Sequence, residues 1–338
     1  IDNGVTVTMS DADIVDGITI TEDTGEDATL ILSGAIASQN ISNIRLNTIT
    51  LSGTSGSFTP TLATSANQTY NITGSLTCGT TSILNDTKLT GTGSLNISGA
   101  IASEDLDEII LSGGVTFSGT SNSFNATLST SQDYTCSGTL TVATASIVTG
   151  QNIQGTGSIE FTNSVTNQDL NEIDLSGGIT FSAASAAFAP ELLGQASQTY
   201  TVNATLTCPD ATKLGGVKMT GTGKLEFTGT TNTITNEDLS FIDVNSGVTI
   251  KTTACASFNP TLSTSENYTL TGVKLTTTNA SVFHQVNMTG TGSIDMNAAV
   301  VSQDFDSISV DGDFTFKVNS PSFAPTLDTT GGAQQYSI

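Results

Sequence analysis

The sequence has no tryptophan, one histidine (His284), one arginine (Arg45) and only 8 basic residues against 31 acidic ones. A formal charge of −23 argues against binding nucleic acid, because a phosphate backbone needs a cationic face. It argues equally against an anionic membrane surface. Acid–base, metal and phosphate chemistry have few side chains to draw on. No apolar run approaches the roughly 18 residues of a membrane span, and no segment reads as a secretory signal. The chain starts at Ile1 rather than Met, which suggests a processed product or a piece of something longer. Charged residues make up only 12% of the chain against 36% hydrophobic, so it is not an acidic disordered tail. Its polarity comes from Thr, Ser, Asn and Gly.

What is present is repetition. A length of 338 residues would suit about two domains, but the internal repeat takes precedence. Gly-Thr-Gly occurs at 91–93, 155–157, 221–223 and 290–292. All five tyrosines, Tyr70, Tyr134, Tyr200, Tyr268 and Tyr336, share one register, as do Phe58, Phe124, Phe188, Phe258 and Phe323. A third phase begins at Ile41, Leu106, Leu170, Leu239 and Phe305. The repeat is therefore 64–69 residues long, with copies at approximately 1–65, 66–130, 131–196, 197–264 and 265–338.

Within each copy a Gly-x-apolar-x-apolar signature recurs three times, for example at Leu76, Leu95 and Val115, then Leu140, Ile159 and Ile179. Apolar and polar residues alternate, as in Leu95-Asn96-Ile97 and Leu225-Glu226-Phe227, the period of a strand with one face inward. Turn-forming Gly, Asn, Asp and Ser separate these segments. A coil of ~20 residues cannot bury its own apolar face, so neighbouring coils must stack. The expected fold is all-β: a right-handed parallel β-helix, or β-solenoid, with about three coils per repeat and about five repeats. The hand follows the general rule for parallel connections, and about fifteen coils at ~4.8 Å would span roughly 70 Å as one continuous solenoid over 1–338. A string of β-sandwiches is the competing fold, but 65 residues is small for one, and a threefold sub-period has no place in it.

GTGSLNISG (91–99), GTGSIEFTN (155–163) and GTGKLEFTG (221–229), followed by LSGGVTFSG and LSGGITFSA, resemble the passenger repeats of autotransporter adhesins and related bacterial surface proteins. The resemblance implies an extracellular rod and carries no catalytic residue across.

Residues with chemical potential are few. Cys78 and Cys208 occupy inward strand positions, and Cys136 takes a place held by Ile72 and Val202. Cys255 falls where other copies have Ser55, Ser121, Ser185 and Ser320. Cys78 and Cys136 would lie three coils apart, ~14 Å, too far for a disulfide, so free thiols are expected. His284 has no counterpart and reads as a loop histidine. Asp105, Asp169, Asp238 and Asp304 recur once per copy, with Asn40 in the first. A carboxylate in every copy reads as a turn residue accepting a backbone N–H rather than as a catalytic acid or a cation ligand. The N-terminal acids Asp11, Asp13, Asp16, Glu22, Asp23, Glu26 and Asp27 read as a solvated face. Calcium is the alternative for Asp11, Asp13 and Asp16, whose spacing partly imitates a calcium loop. Ten Asn-x-Ser/Thr sequons, Asn71, Asn125 and Asn203 among them, make glycosylation possible. Outward pairs such as Thr139/Thr141 and Thr205/Thr207 raise ice binding, but Glu160, Lys224, Glu226 and Asp295 interrupt the row.

The tyrosines are expected on the core side, in one column along one edge of the rod, three coils apart. Start and finish share a phase and neither carries a capping segment. The expected partners are therefore copies of the chain stacked end to end, or flanking repeats of a longer one, with a surface glycan possible. No nucleic acid and no membrane insertion are expected. The expected function is structural and non-enzymatic: a fibre, stalk or adhesin rod outside the cell, needing no cofactor. A glycan- or partner-binding module is the first alternative and a pectin-lyase-like enzyme the second.

Overall fold

The computed structural model describes residues 4–22, 27–194, 198–229, 234–252, 254–328 and 334–338. Among them every strand pair is parallel, for example Thr6–Met9 with Thr29–Leu32 and Ser75–Cys78 with Ser94–Ile97, and the helices are single 3-10 turns. The chain divides into two compact units, residues 1–160 with 172–177 and residues 161–171 with 178–338. Each unit is a parallel β-solenoid, and the chain makes about 16 turns in all. The alternation seen in the sequence drives it: in Thr69–Ile72 and Thr199–Val202 the second and fourth side chains are buried and the others face outward.

Strand pairing shows how the repeat is wound. In the first unit one ladder runs through Val7, Leu30, Ile49, Tyr70, Leu89 and Ile109. The next side of the coil carries Leu76, Leu95, Val115, Tyr134, Ile153 and Ile173. Tyr134 thus stands three turns beyond Leu76, not beyond Tyr70. The second unit does the same. Tyr268 is reached from Leu206 through Leu225 and Val248, and Tyr336 from Leu275 through Ile294 and Phe314. Each repeat is three turns plus one further strand, so equivalent residues move to the next side of the coil. This corrects the expectation of a single tyrosine column. The long step from Val115 to Leu140 is an ordinary turn to Tyr134 followed by one corner and the strand Thr139–Val142.

Gly-Thr-Gly forms one of the corners. The first glycine has positive φ in all four copies (Gly91 +119°, Gly155 +133°, Gly221 +122°, Gly290 +111°), a conformation that favours glycine. The second lies against the backbone of the turn below: a Cβ on Gly93 would sit 2.2 Å from the Gly74 carbonyl oxygen. The interior is filled by side chains. Phe58, Phe124, Phe188 and Phe258 are fully buried, whereas Phe323 is 39% exposed. Tyrosine rings stack on phenylalanines of adjacent turns, Phe117–Tyr134 at 5.0 Å and Phe181–Tyr200 at 6.0 Å between centroids.

Candidate functional site

The residues repeated in every copy are held in structural bonds. Tyr70, Tyr134, Tyr200 and Tyr268 are buried. Each tyrosine hydroxyl accepts a backbone N–H from the preceding loop: Ala63, Ser129, Leu193, Ser263 and, for Tyr336, Asp328, at 2.9–3.1 Å. Burial raises the phenols of Tyr70, Tyr134, Tyr268 and Tyr336, that of Tyr134 to about 12, against the N–H bonds that lower them. Two residues before each tyrosine stands Gln68, Gln132, Gln198, Glu266 or Gln334. Gln68, Gln132, Glu266 and Gln334 accept an N–H from the preceding turn: Leu46 to Gln68 at 3.1 Å, Leu111 to Gln132 at 2.6 Å, Val244 to Glu266 at 2.7 Å and Val310 to Gln334 at 2.7 Å. Sequence reading missed this position, although its register with tyrosine was in view.

The recurring acids make the turn bond read from the sequence. The Oδ1 atoms of Asn40, Asp105, Asp169, Asp238 and Asp304 accept the N–H two residues ahead at 3.1–3.3 Å. Beside them Gln39, Glu104, Gln168, Glu237 and Gln303 reach back to the N–H two residues behind. His284 does have counterparts. It stands at the C-terminal cap of a 3-10 turn, where other copies place Asp16 and Asn85. All three accept an N–H from the next turn: Asn40 to Asp16 at 2.7 Å, Asp105 to Asn85 at 2.8 Å and Asp304 to His284 Nδ1 at 2.9 Å. Only the chemical role, hydrogen-bond acceptor, links these three residue types, which is why sequence comparison passed over it.

The N-terminal acids are similarly engaged. Asp11 caps the first 3-10 turn, Asp13 accepts from Gln39 Nε2 at 2.6 Å, and Glu22 accepts the Asn47 N–H at 3.0 Å. Asp23 and Glu26 lie outside the described residues. Among the described residues no three His, Cys, Asp or Glu side chains are placed to share a metal ion. No helix there is long and apolar enough to cross a membrane.

The four cysteines are free, as expected; Cys78, Cys136 and Cys208 are buried as the register predicts, and Cys255, which the register places in a turn, is buried too. Burial pushes the Cys78 and Cys136 thiols up to about 11 and raises Cys208 as well, which suppresses the reactive thiolate. Cys78 and Cys136 lie in one ladder with Ile97 and Phe117 between them. Cys255 pairs with Leu275 as Ser55 does with Leu76. Three of the charges that interrupt the threonine rows, Lys224, Glu226 and Asp295, are in ion pairs. Glu226, between Thr207 and Thr249 in its ladder, accepts from Lys224 at 2.8 Å and Lys251 at 2.9 Å. These two bonds hold its carboxyl below the usual range. Asp295 takes Lys274 and Lys317; burial raises its carboxyl, but the two lysines outweigh that and lower it.

Among the described residues a groove recurs with the repeat. One wall is the loop after the buried phenylalanine, the other the 3-10 turn one coil later. Three copies have volumes of 290 Å³ beside Thr61 and Ile83, 430 Å³ beside Thr127 and Ile147, and 250 Å³ beside Thr261 and Val282. In the third copy Lys213 forms an ion pair with Glu191 across the same place. No family model matches this chain, and no curated protein or solved structure matches it either.

Proposed function

We propose that the chain is a structural repeat protein of the cell surface or extracellular space, forming a fibre, stalk or adhesin rod. The observation that carries this reading is the use made of the repeated residues. Tyrosine, Gln/Glu and Asp/Asn recur in every copy, and in each copy their polar atoms join neighbouring turns or brace a turn. The repeated residues of these three kinds therefore serve the scaffold.

The resemblance to adhesin passengers supports the extracellular setting. Each turn of such an array buries its interior against the turns on both sides, so the fitting partners are further repeats or another copy, end to end. The reading needs no cofactor and assigns no catalytic residue. Calcium at Asp11, Asp13 and Asp16 is tested by calorimetric titration of the chain with the ion. Electron microscopy of native material should show filaments or long thin rods. Compact isolated monomers would refute the proposal.

A further inference from the structure

The C-terminal caps of the 3-10 turns are Asp16, Asn85, Thr149, Gly215 and His284. Asp16, Asn85 and His284 accept the N–H of Asn40, Asp105 and Asp304 on the next turn. A carboxyl group keeps an accepting oxygen even when protonated, and an amide does not titrate. An imidazole is different. Its charge changes between pH 5 and 8, and the imidazolium has a donor at each ring nitrogen and no acceptor. Nδ1 of His284 accepts the Asp304 N–H at 2.9 Å, so the neutral ring carries its proton on Nε2. A second proton can go only on Nδ1, where it meets the Asp304 N–H.

The residue after the cap makes a backbone bond that does not titrate. Gly17, Asp86, Gly216 and Gln285 donate to the carbonyls of Asn40, Asp105, Asp238 and Asp304 at 2.7–3.0 Å. Gly215 has no side chain, so that junction has no side-chain acceptor at its cap. Loss of the His284 bond would therefore leave a junction of a kind that the solenoid already uses.

The charged groups around the ring lie on one side of it. Its own 3-10 turn, Ala280–Phe283, has no ionisable side chain, and neither has the loop 259–264 across the groove. Beyond that loop Glu266 is buried and bonded to the Val244 and Asn267 N–H groups. Asp304 and Asp306 stand on the following turn, where their carboxylates can receive a new N–H. The ring is exposed and lines the 250 Å³ groove, so it has room to turn.

We infer that His284 is a pH-operated latch between two turns of the solenoid. Neutral, it holds the Asp304 N–H. On taking a proton from solvent it releases that N–H to water and turns its new Nδ1–H toward the Asp304 and Asp306 carboxylates, while the Gln285 bond keeps the turns stacked. One bond is exchanged for another, so the opening is local. It moves the groove wall that His284 shares with Ser281 and Val282. The latch needs no filament and stands apart from the scaffold reading.

The test is NMR of the full chain between pH 5 and 8. Long-range ¹H–¹⁵N spectra of the imidazole should show the Nε2–H tautomer in the neutral state. Protection of the Asp304 amide, corrected for the intrinsic pH dependence of exchange, should fall by about fivefold to tenfold, the loss expected for one hydrogen bond. It should fall on the same titration curve as the ring. The Gln285, Asn40 and Asp105 amides should not follow that curve. His284→Asn installs the acceptor found at Asn85, so it should keep Asp304 protected and abolish the pH response. His284→Gly, matching the cap at Gly215, should leave Asp304 unprotected at every pH. The tautomer and the titration curve are read in the parent chain, so they decide the matter even if a variant fails to fold. The inference is overturned by an Nδ1–H tautomer, by Asp304 protection that ignores the ring's titration, by an unchanged pH response in His284→Asn, or by protection lost equally in distant turns.

Discussion

The Gln132 corner of the first unit and the Glu266 corner of the second place the same kind of bond on the same backbone and differ by one group of one side chain. Gln132 Oε1 accepts the Leu111 N–H, and its Nε2 donates to the Asp133 carbonyl at 2.6 Å. Glu266 Oε2 accepts the Val244 N–H, and its other oxygen, having no proton to give, takes the Asn267 N–H at 2.7 Å. Glu266 is 1% exposed. Burial raises its pKa, the two N–H bonds oppose that, and the nearby Asp243 charge adds to the rise. Asp295 in the same unit is the contrast, because two lysines neutralise it. The acceptor half of the corner is what the fold demands. The donor half is exchangeable, at the expense of burying a charge that has only dipoles around it.

The comparison breaks most completely at the tyrosine that both corners share. Tyr134→Ala should cost about 3–5 kcal/mol, as for other buried aromatics, and Tyr268→Ala a similar amount. Stability in a solenoid is nearly a sum over neighbours. Hydrogen exchange should therefore rise in the turns around the substitution and stay unchanged several turns away; uniform loss of protection would contradict this. Next in size is Gln132→Leu, which keeps the volume and removes the acceptor. Leaving the Leu111 N–H unpaired should cost about 1–3 kcal/mol, read from the urea midpoint at constant m-value.

The coil period, the inward residues and the thiols could be read from period two and register, because burial on one face of a strand leaves a direct imprint on the sequence. Leu76, Leu95 and Val115 fall in one ladder as their spacing implies. The winding was not readable. A step of 25 residues from Val115 to Leu140 looks like one long coil, yet it holds a full turn and a corner, and only pairing distinguishes the two. Nor were the acceptor positions visible. Asp16, Asn85 and His284 share no residue class, and Gln68 and Glu266 differ in charge.

Glu266→Gln sharpens the comparison by turning the second corner into the first. The new Nε2 can donate as Gln132 does, so the substitution should stabilise by about 0.5–1.5 kcal/mol at neutral pH, the worth of one intramolecular hydrogen bond. The pH dependence has a definite sign. A carboxyl raised in the folded state contributes stability below its unfolded pKa of about 4.3, and that contribution is lost as pH rises through the folded value. The gap between Glu266→Gln and the parent chain should therefore narrow on acidification. Glu226 and Asp295, both lowered, act in the opposite sense and lose stability as pH falls. They are common to both proteins and cancel in the difference. A gap that widens toward acid would mean that Glu266 is not held in its raised state by the fold.

The smallest effect belongs to the residue after the His284 cap. Gln285 has φ +58° and Asp86 has φ +54°, whereas Gly17, Gly150 and Gly216 occupy the equivalent place at +65 to +72°. A left-handed residue other than glycine carries about 1–2 kcal/mol of strain, more firmly for Gln than for Asp, whose short side chain tolerates the region. Replacing it by glycine removes the strain but adds freedom to the unfolded chain, which returns about 0.4–1 kcal/mol. Gln285→Gly should thus stabilise by less than about 1 kcal/mol, and Asp86→Gly by less still, since Asp86 would also lose the hydrogen bond from Ser65 Oγ at 2.8 Å. Paired melting curves of the two variants would test the order. Because the Asp304 N–H to His284 bond depends on the direction in which Gln285 turns the chain, Gln285→Gly should leave that bond intact. The Asp304 amide should then exchange no faster than in the parent chain. Faster exchange there would mean that the strained glutamine, rather than the histidine acceptor, holds the two turns together.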